Sequence, residues 1–360
     1  SSLMLLERYR PDFYASPADG LAPEELASSL QDHEDIDLVD VEEKFCSLDA
    51  RERSRVLHFF VDEVSSYQKV LRDLENTRLL KSFYNVDLLH VQRYLLRKGV
   101  APTSRVEVEH EGSRLASIRV MDDPMEIAPP PFSLYAFALE PSSRITNDAI
   151  SGIALFDDDL KARGRLQGRE ADVLVALQEE VLSHDPDFLI SSDIPTVLKR
   201  LKVRSELRGV DLQIGRLRDE ESGPPFTTSL SVKGRACIEL GSFEEYGVAG
   251  IVERSKFTFA PPGFSAEWPA GRTIDSRQCY EVLRRDILIP RQGFYVEPKS
   301  GRETLLRDRG GFTMAPEAGL HENVGELDYE SMFPNIIIKW NVSYETVGSD
   351  HPEDLLGLLR

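Results

Sequence analysis

Apolar and polar positions along this chain fall into short segments whose periods predict separate elements. Tyr9-Arg10-Pro11-Asp12-Phe13-Tyr14 reads as an opening strand, and residues 22–33 as an acidic surface helix. Residues 51–80 carry a long helical period, and the acidic stretch 32–43 before it reads as a solvated loop. An aromatic-rich pattern then runs from Phe83 through Arg93-Tyr94-Leu95 to Gly99-Val100-Ala101-Pro102, its aromatics suited to core packing. The proline-rich, turn-like stretch 124–131 marks a domain seam. Beyond it lie a buried-strand pattern at 132–140, a second at 149–156, a helical period at 170–183 and a short strand at 187–190. Near the end, Val324 to Leu327 is an apolar-leaning run suited to a strand entering a core. Ser331 follows as a helix N-cap, Pro334 suits a first helical turn, and Ile336 to Trp340 suit that helix's buried side. No internal repeat or low-complexity tract stands out.

The one ionisable residue at the end of that last strand is Asp328. A carboxylate leaving a strand just before a helix start can hold a hard cation, and the helix's free N–H groups can receive a phosphate beside it. That is the arrangement nucleotidyl transfer requires. On Asp328-x-x-Ser331 alone, a solvated aspartate at an ordinary strand–turn–helix junction is the commoner case.

Composition narrows the class without fixing it. The chain has 360 residues, enough for two or three domains with proper cores, and an ordinary hydrophobic fraction of 41%. No apolar run is long enough for a membrane span, and the start lacks the basic and apolar regions of a signal peptide. Cys46, Cys237 and Cys279 lie far apart without C-x-x-C spacing, which predicts reduced thiols in a cytoplasmic protein. The net charge of −19 argues against a simple nucleic-acid binder, but the charge is uneven. Residues 1–50 hold 13 acidic against 3 basic side chains, whereas residues 271–310 hold 9 basic against 6 acidic. A protein acidic overall can still present a basic groove, because phosphate contacts depend on the local field.

The longer string around Asp328 carries a resemblance. Gly310-Gly311-Phe312, Pro316 to Asn323, Leu327-Asp328-Tyr329-Glu330-Ser331-Met332-Phe333-Pro334-Asn335-Ile336-Ile337 and Asn341-Val342-Ser343 resemble, in this order, the family B DNA polymerases. They are similar to the entry to that family's palm and its first catalytic motif, D-x-x-S-L-Y-P-S-I-I. Phe83 to Pro102 resembles a Y-x-x-D-I…R-Y-L…G-x-x-P run of the N-terminal domain. The resemblance implies a multidomain α/β and α+β fold: an N-terminal mixed domain at 1–130, a ribonuclease H-like 3′–5′ exonuclease-type domain at 131–290, and a connector with the start of a palm at 291–360.

It also implies that the proofreading chemistry is missing. Such a site clusters carboxylates around two divalent ions. The family's first motif is D-x-E, and here Ala138 stands for the aspartate while Glu140 survives. The second motif should follow Ile190, but Ser191-Ser192-Asp193-Ile194-Pro195 runs straight into Thr196, as if the loop were shortened; Asp193 is the one candidate remnant. The third, Y-x-x-x-D, aligns with Tyr246 to Gly250 and ends on Gly250. The exonuclease-type domain is thus expected to be degenerate, as in a prokaryotic and archaeal branch with decayed proofreading motifs. Residues 273–291, from Thr273 through Arg284-Arg285 to Pro290-Arg291, are similar to that branch's segment between exonuclease and palm.

For the polymerase site, the resemblance implies that Asp328 and the Tyr329 carbonyl bind two Mg²⁺ ions, with Asp328 catalytic. Backbone N–H groups of Ser331, Met332 and Phe333 would bind the triphosphate. Phe333 takes the place of a tyrosine whose ring blocks a ribose 2′-hydroxyl, and Asn335 replaces a serine. Arg309, Gly310 and Gly311 would contact DNA, although Asp308 stands where the Y-x-G-G motif has tyrosine. Lys199, Arg200, Lys202, Arg204 and Arg208 are either a DNA-facing or a plainly solvated basic face. Primer–template DNA and deoxynucleoside triphosphates are the expected partners in replication or repair, with a cytoplasmic, nucleoid-associated location and no membrane. The second catalytic aspartate and the fingers lysine lie beyond the first motif. The remaining palm, fingers and thumb would therefore come from the same gene or a second chain, and this stretch alone should be inactive. A non-catalytic DNA-binding or scaffolding protein is the alternative, and an active exonuclease is disfavoured by the lost carboxylates.

Overall fold

The computed structural model describes residues 3, 5–48, 50–122, 129–217, 232–291, 300–302, 315, 317–343 and 346. Packing divides the chain into two compact units, one of residues 12–87 with the segment from 282 onward, the other of residues 1–11 and 88–281.

The first unit is built on β1 (Asp12–Pro17), α1 (Pro23–Leu30), β2 (Ile36–Lys44), β3 (Ser54–Val61), α2 (Tyr67–Thr77) and β4 (Leu80–Tyr84). The strands form an antiparallel sheet in the order β2-β3-β1-β4. On one face Phe13, Ala15, Leu57, Phe59 and Val61 pack against Leu26 and Leu30 of α1 and Tyr67, Val70, Leu71 and Leu74 of α2. Each fully buried phenylalanine there contributes about 1.5–3 kcal/mol. On the other face Tyr14, Val56 and Tyr84 close around Leu288. Two expectations are corrected in this unit. Residues 54–61 form a strand, not the first half of a long helix; Val56-Leu57-His58-Phe59-Phe60-Val61 is β-branched and aromatic, and it lies between β2 and β1. The acidic stretch contains β2 and is not a loop, since Ile36 and Val39 point into the core while its charges face out or into ion pairs.

The second unit contains α3 (His90–Lys98), a hairpin of β5 (Val106–Glu111) and β6 (Arg114–Val120), and a mixed sheet. That sheet is made of β7 (Leu134–Glu140), β8 (Gly152–Phe156), β9 (Ala162–Gln167), β10 (Phe188–Ser191) and β11 (Ala236–Glu239), in the order β11-β10-β7-β8-β9. β7, β10 and β11 are mutually parallel and β8 and β9 run antiparallel to their neighbours. Strand alternation sends Tyr135, Phe137 and Leu139 to one face, against α4 (Glu170–His184) and α5 (Ile194–Arg208). Ala136, Phe188, Ile190 and Ile238 go to the other face, under α6 (Leu240–Thr258) and α7 (Pro262–Ser265). A sheet covered by helices on both faces is the α/β architecture the sequence predicts for this stretch, and β7, β8, α4 and β10 fall where the apolar runs place them. α8 (Ala270–Arg284) follows. Burial pushes the Cys237 and Cys279 thiols up to about 12, and all three cysteines are free. No described helix is long and apolar enough to cross a membrane.

The segment 324–328 is not a strand. It is exposed, with Val324 75% and Leu327 fully accessible, and pairs with no described strand. α9 (Met332–Trp340) forms as expected, but none of its residues is buried, so Ile336 to Trp340 fill no core among the described residues. A strand needs a partner ladder and a facing apolar layer, and among the described residues neither packs against 324–328.

Candidate active site

Asp328 lies in the exposed turn before α9, and its Oδ1 accepts the Tyr329 N–H at 2.8 Å. Ser331 occupies the N-cap position with a left-handed backbone (φ 49°), but its hydroxyl makes no capping bond. Asn335 ties the turn to the helix from the other side, its side-chain amide donating to the Glu330 carbonyl at 3.0 Å and its backbone N–H making the first helical bond, to the Ser331 carbonyl at 3.0 Å. Asp328, Tyr329, Ser331, Met332 and Phe333 therefore follow one another around a helix start whose first-turn N–H groups lack intrahelical acceptors. The donor set at this turn, a carboxylate and a backbone carbonyl in solvent, suits a hard cation. No group of three or more His, Cys, Asp or Glu side chains able to hold a metal occurs among the described residues. Arg309, Gly310 and Gly311 lie outside the described residues.

Of the exonuclease-type positions, Ala138 and Glu140 lie at the C-terminal end of β7, on the face that carries α6, and Gly250 lies within α6. Ala138 pairs with Ala154 of β8, which pairs with Arg165 of β9; Glu140 pairs with Gly152, which pairs with Gln167. The Arg165 guanidinium reaches diagonally over β8 and donates from Nε and Nη2 to Glu140 Oε2. Gly152 makes this possible, because a Cβ there would lie 2.9 Å from Glu140 Oε2 and 2.9 Å from the Leu166 carbonyl. On α6, Gly247 adopts φ 58° and ψ −176° and kinks the helix. As a result a Cβ at Gly250 would sit 2.9 Å from Tyr246 Cβ, while Arg254 stacks over the Tyr246 ring at 4.5 Å. Asp193 is not joined to this group. Its backbone is left-handed, and its Oδ2 lies 4.0 Å from Arg144. The carboxylate at the start of α5 belongs to Glu239 at the end of β11, which accepts the Asp193 and Ile194 N–H groups at 2.7 and 2.8 Å. At this end of β7 Ala138 offers no donor and Glu140 already holds a guanidinium.

The basic residues of α5 form no continuous outward-facing basic surface. Arg200 is 1% exposed and donates to the carbonyls of Pro141, Asp148 and Ala149 at 2.7, 3.0 and 2.8 Å. Arg204, also buried, donates to Asn147 O and, from Nε and Nη2, to both oxygens of Glu170, and Arg208 adds a bond to Glu170 Oε2 at 2.5 Å. These arginines clamp the 141–149 loop, a role their helical spacing did not reveal because their acceptors are backbone carbonyls remote in sequence. Burial pushes the Glu170 carboxyl up, but Arg204, the Ile150 N–H and Arg208 outweigh it and hold it at about 2. A carboxyl lowered in the fold from 4.5 to about 2 stabilises the protein above 4.5, and that contribution is lost as the pH falls from there toward 2. We expect Glu170→Gln to cost about 2–3 kcal/mol at neutral pH and to flatten the acid limb of a melting-temperature profile. An unchanged acid limb would contradict the assignment.

The family model described as DNA polymerase family B matches residues 279–355, which include Asp328 and α9. DNA polymerase 2 of Aeropyrum pernix is 23% identical over 96% of this chain and 53% of its own length. DNA polymerase 2 of Saccharolobus solfataricus is 31% identical over 27% of this chain and 16% of its own. The solved family B DNA polymerase of Pyrobaculum calidifontis shares the fold, with a TM-score of 0.71, 18% identity, and coverage of 94% of this chain and 53% of that one. The chain is thus similar to archaeal DNA polymerases along nearly all of its length, shares the fold of a solved family B DNA polymerase, and matches the family B model over the stretch that holds Asp328. It spans about half the length of the relatives it matches along nearly all of its own length.

Proposed function

We propose that this chain is the N-terminal portion of a DNA-directed DNA polymerase that extends a primer by template-directed nucleotidyl transfer. The observation that carries the reading is the family match over 279–355, which includes an exposed carboxylate shortly before a helix start. In the complete enzyme Asp328 and the Tyr329 carbonyl would hold Mg²⁺, joined by a second aspartate from the remaining palm. Two such ions supply activation of the primer 3′-hydroxyl and stabilisation of the departing pyrophosphate. Ser331, Met332 and Phe333 would receive the triphosphate on their backbone N–H groups, and the Phe333 ring would exclude a ribose 2′-hydroxyl. Arg309, Gly310 and Gly311 would meet the DNA. The functional domains on this reading are 1–130, 131–290 and 291–360, with the rest of the palm, the fingers and the thumb supplied by the same gene or a second chain. Replication or repair in the nucleoid is the setting.

Primer extension by the chain joined to a family B palm, fingers and thumb tests this. Template-directed incorporation dependent on Mg²⁺ is expected, and a folded, DNA-binding protein unable to add any nucleotide would count against it. The 131–290 domain serves here as a non-degrading scaffold. The chain should leave a 3′-mismatched primer intact in Mg²⁺ or Mn²⁺, and Glu140→Ala should change nothing. Metal-dependent shortening that disappears in Glu140→Ala would show a working nuclease.

A further inference from the structure

We infer that Arg165 is a resident cation standing where this edge of the sheet would otherwise bind a divalent metal, so that the edge has been rebuilt and not merely stripped of ligands. The inference rests on reading this edge as a former proofreading site, but it concerns charge and packing and not polymerase activity. Three observations carry it. The first is the pairing of Arg165 with Glu140, the one carboxylate retained from the D-x-E pattern. The second is the path of the guanidinium. Strands lie about 4.8 Å apart, so residues two strands away are separated by about 10 Å, within reach of an arginine only if the intervening strand carries small residues. β8 places Ala154 and Gly152 there, and at Gly152 the Glu140 carboxylate and the Leu166 carbonyl leave no space for a side chain. The third is α6, where beside the Gly247 kink a Cβ at position 250 would lie 2.9 Å from Tyr246 Cβ, which leaves no room for a side chain there unless the helix backbone shifts.

The consequence is specific. Ala138, Ala154 and Arg165 lie in one row across the sheet. An aspartate placed at 138 would face the guanidinium from two strands away, and the pair would neutralise it before a metal did. Restoring the missing carboxylate should therefore not restore metal binding while Arg165 is present. Removing Arg165 should uncover it.

The test is Mn²⁺ binding by electron paramagnetic resonance, with thermal melting in parallel, on the full chain and its variants Ala138→Asp, Arg165→Met and Ala138→Asp/Arg165→Met. We expect Ala138→Asp alone to bind Mn²⁺ no better than the parent and to melt no earlier. The double variant should bind at least about tenfold more tightly and gain melting temperature on adding Mn²⁺, as a ligand that binds only the folded state requires. Arg165→Gln replaces Arg165→Met if the latter fails to fold, since it keeps a polar group on the strand surface. Glu140→Gln in the Arg165→Met background should recover part of the melting temperature lost by Arg165→Met, as expected when a lone carboxylate is relieved. Equal Mn²⁺ affinity in Ala138→Asp and the double variant would overturn the inference. So would a folded double variant with no gain in affinity. Neither result bears on primer extension, so the polymerase reading stands or falls separately.

Discussion

Arg200→Met is expected to destabilise the exonuclease-type unit by about 3–4 kcal/mol and to release the 141–149 loop. The methionine keeps most of the aliphatic stem, so packing beneath α5 changes little. What is lost is a guanidinium that donates to three carbonyls at once, those of Pro141, Asp148 and Ala149. Hydrogen bonds to a charged group contribute about 1.5–3 kcal/mol each, and removing one partner leaves the other to be satisfied by water or not at all. Asp148 is only half-buried and Pro141 and Ala149 are exposed, so water recovers part of the loss and the total stays below the sum of three bonds. Burial lowers the Arg200 pKa from its usual value, the cost of holding this charge inside, and deleting the charge returns some of that cost. Arg200→Lys should recover less than half of the deficit, because an ammonium cannot span the three acceptors as a planar fork does. A chain of two compact units need not unfold in one step, so the readout is local. Backbone amide exchange and proteolysis at 141–149 should rise sharply in Arg200→Met, with β1 to β4 unaffected. A variant whose loop exchanges as slowly as the parent's would show that the guanidinium is not the clamp.

These arginines illustrate what sequence could and could not reveal. β7, β8, α4 and β10 were legible because a sheet buried on both faces demands continuous apolar runs, and 132–140, 149–156 and 187–190 supply them. β3 was misread because a short run of five apolar residues around His58 fits a buried helix or a strand equally, and only its pairing with β2 and β1 decides. β2 was missed because an edge strand needs few inward apolar residues, and its charges are satisfied by partners far along the chain. Lys44, for example, bonds Asp286 at 2.6 Å. Among the functional positions, the string around Asp328 was legible as a motif because its residues are contiguous. Arg165 was not, since its partner Glu140 lies two strands away and nothing in a local pattern marks the pair. Glu239 escaped for the same reason, its carboxylate meeting the start of α5 only through parallel pairing of β10 and β11.

Asp328→Ala, in the chain completed with its palm, fingers and thumb, is expected to abolish nucleotide incorporation while leaving stability nearly unchanged. Asp328 is exposed, and among the described residues it accepts only the N–H of its own neighbour, Tyr329. Deleting a surface carboxylate with one local bond changes stability by about 0.5 kcal/mol or less. Glu326 and Glu330 flank it, so its removal also relieves repulsion between like charges. A side chain with so little to do for the fold, at the head of a helix whose first N–H groups face solvent, is available for a ligand. If that ligand is the pair of Mg²⁺ ions, neither Glu326 nor Glu330 can substitute, because a shared ligand must reach both ions from one fixed position. Glu330→Gln is the control: it changes the adjacent charge and should retain extension. The decisive measurement pairs primer extension with thermal melting on the same preparations. An Asp328→Ala enzyme that melts early yet still extends a primer would assign Asp328 to the turn and not to catalysis. Equal loss of extension in Glu330→Gln would reduce the effect to local charge, whereas loss confined to Asp328→Ala at an unchanged melting temperature identifies the metal-binding carboxylate.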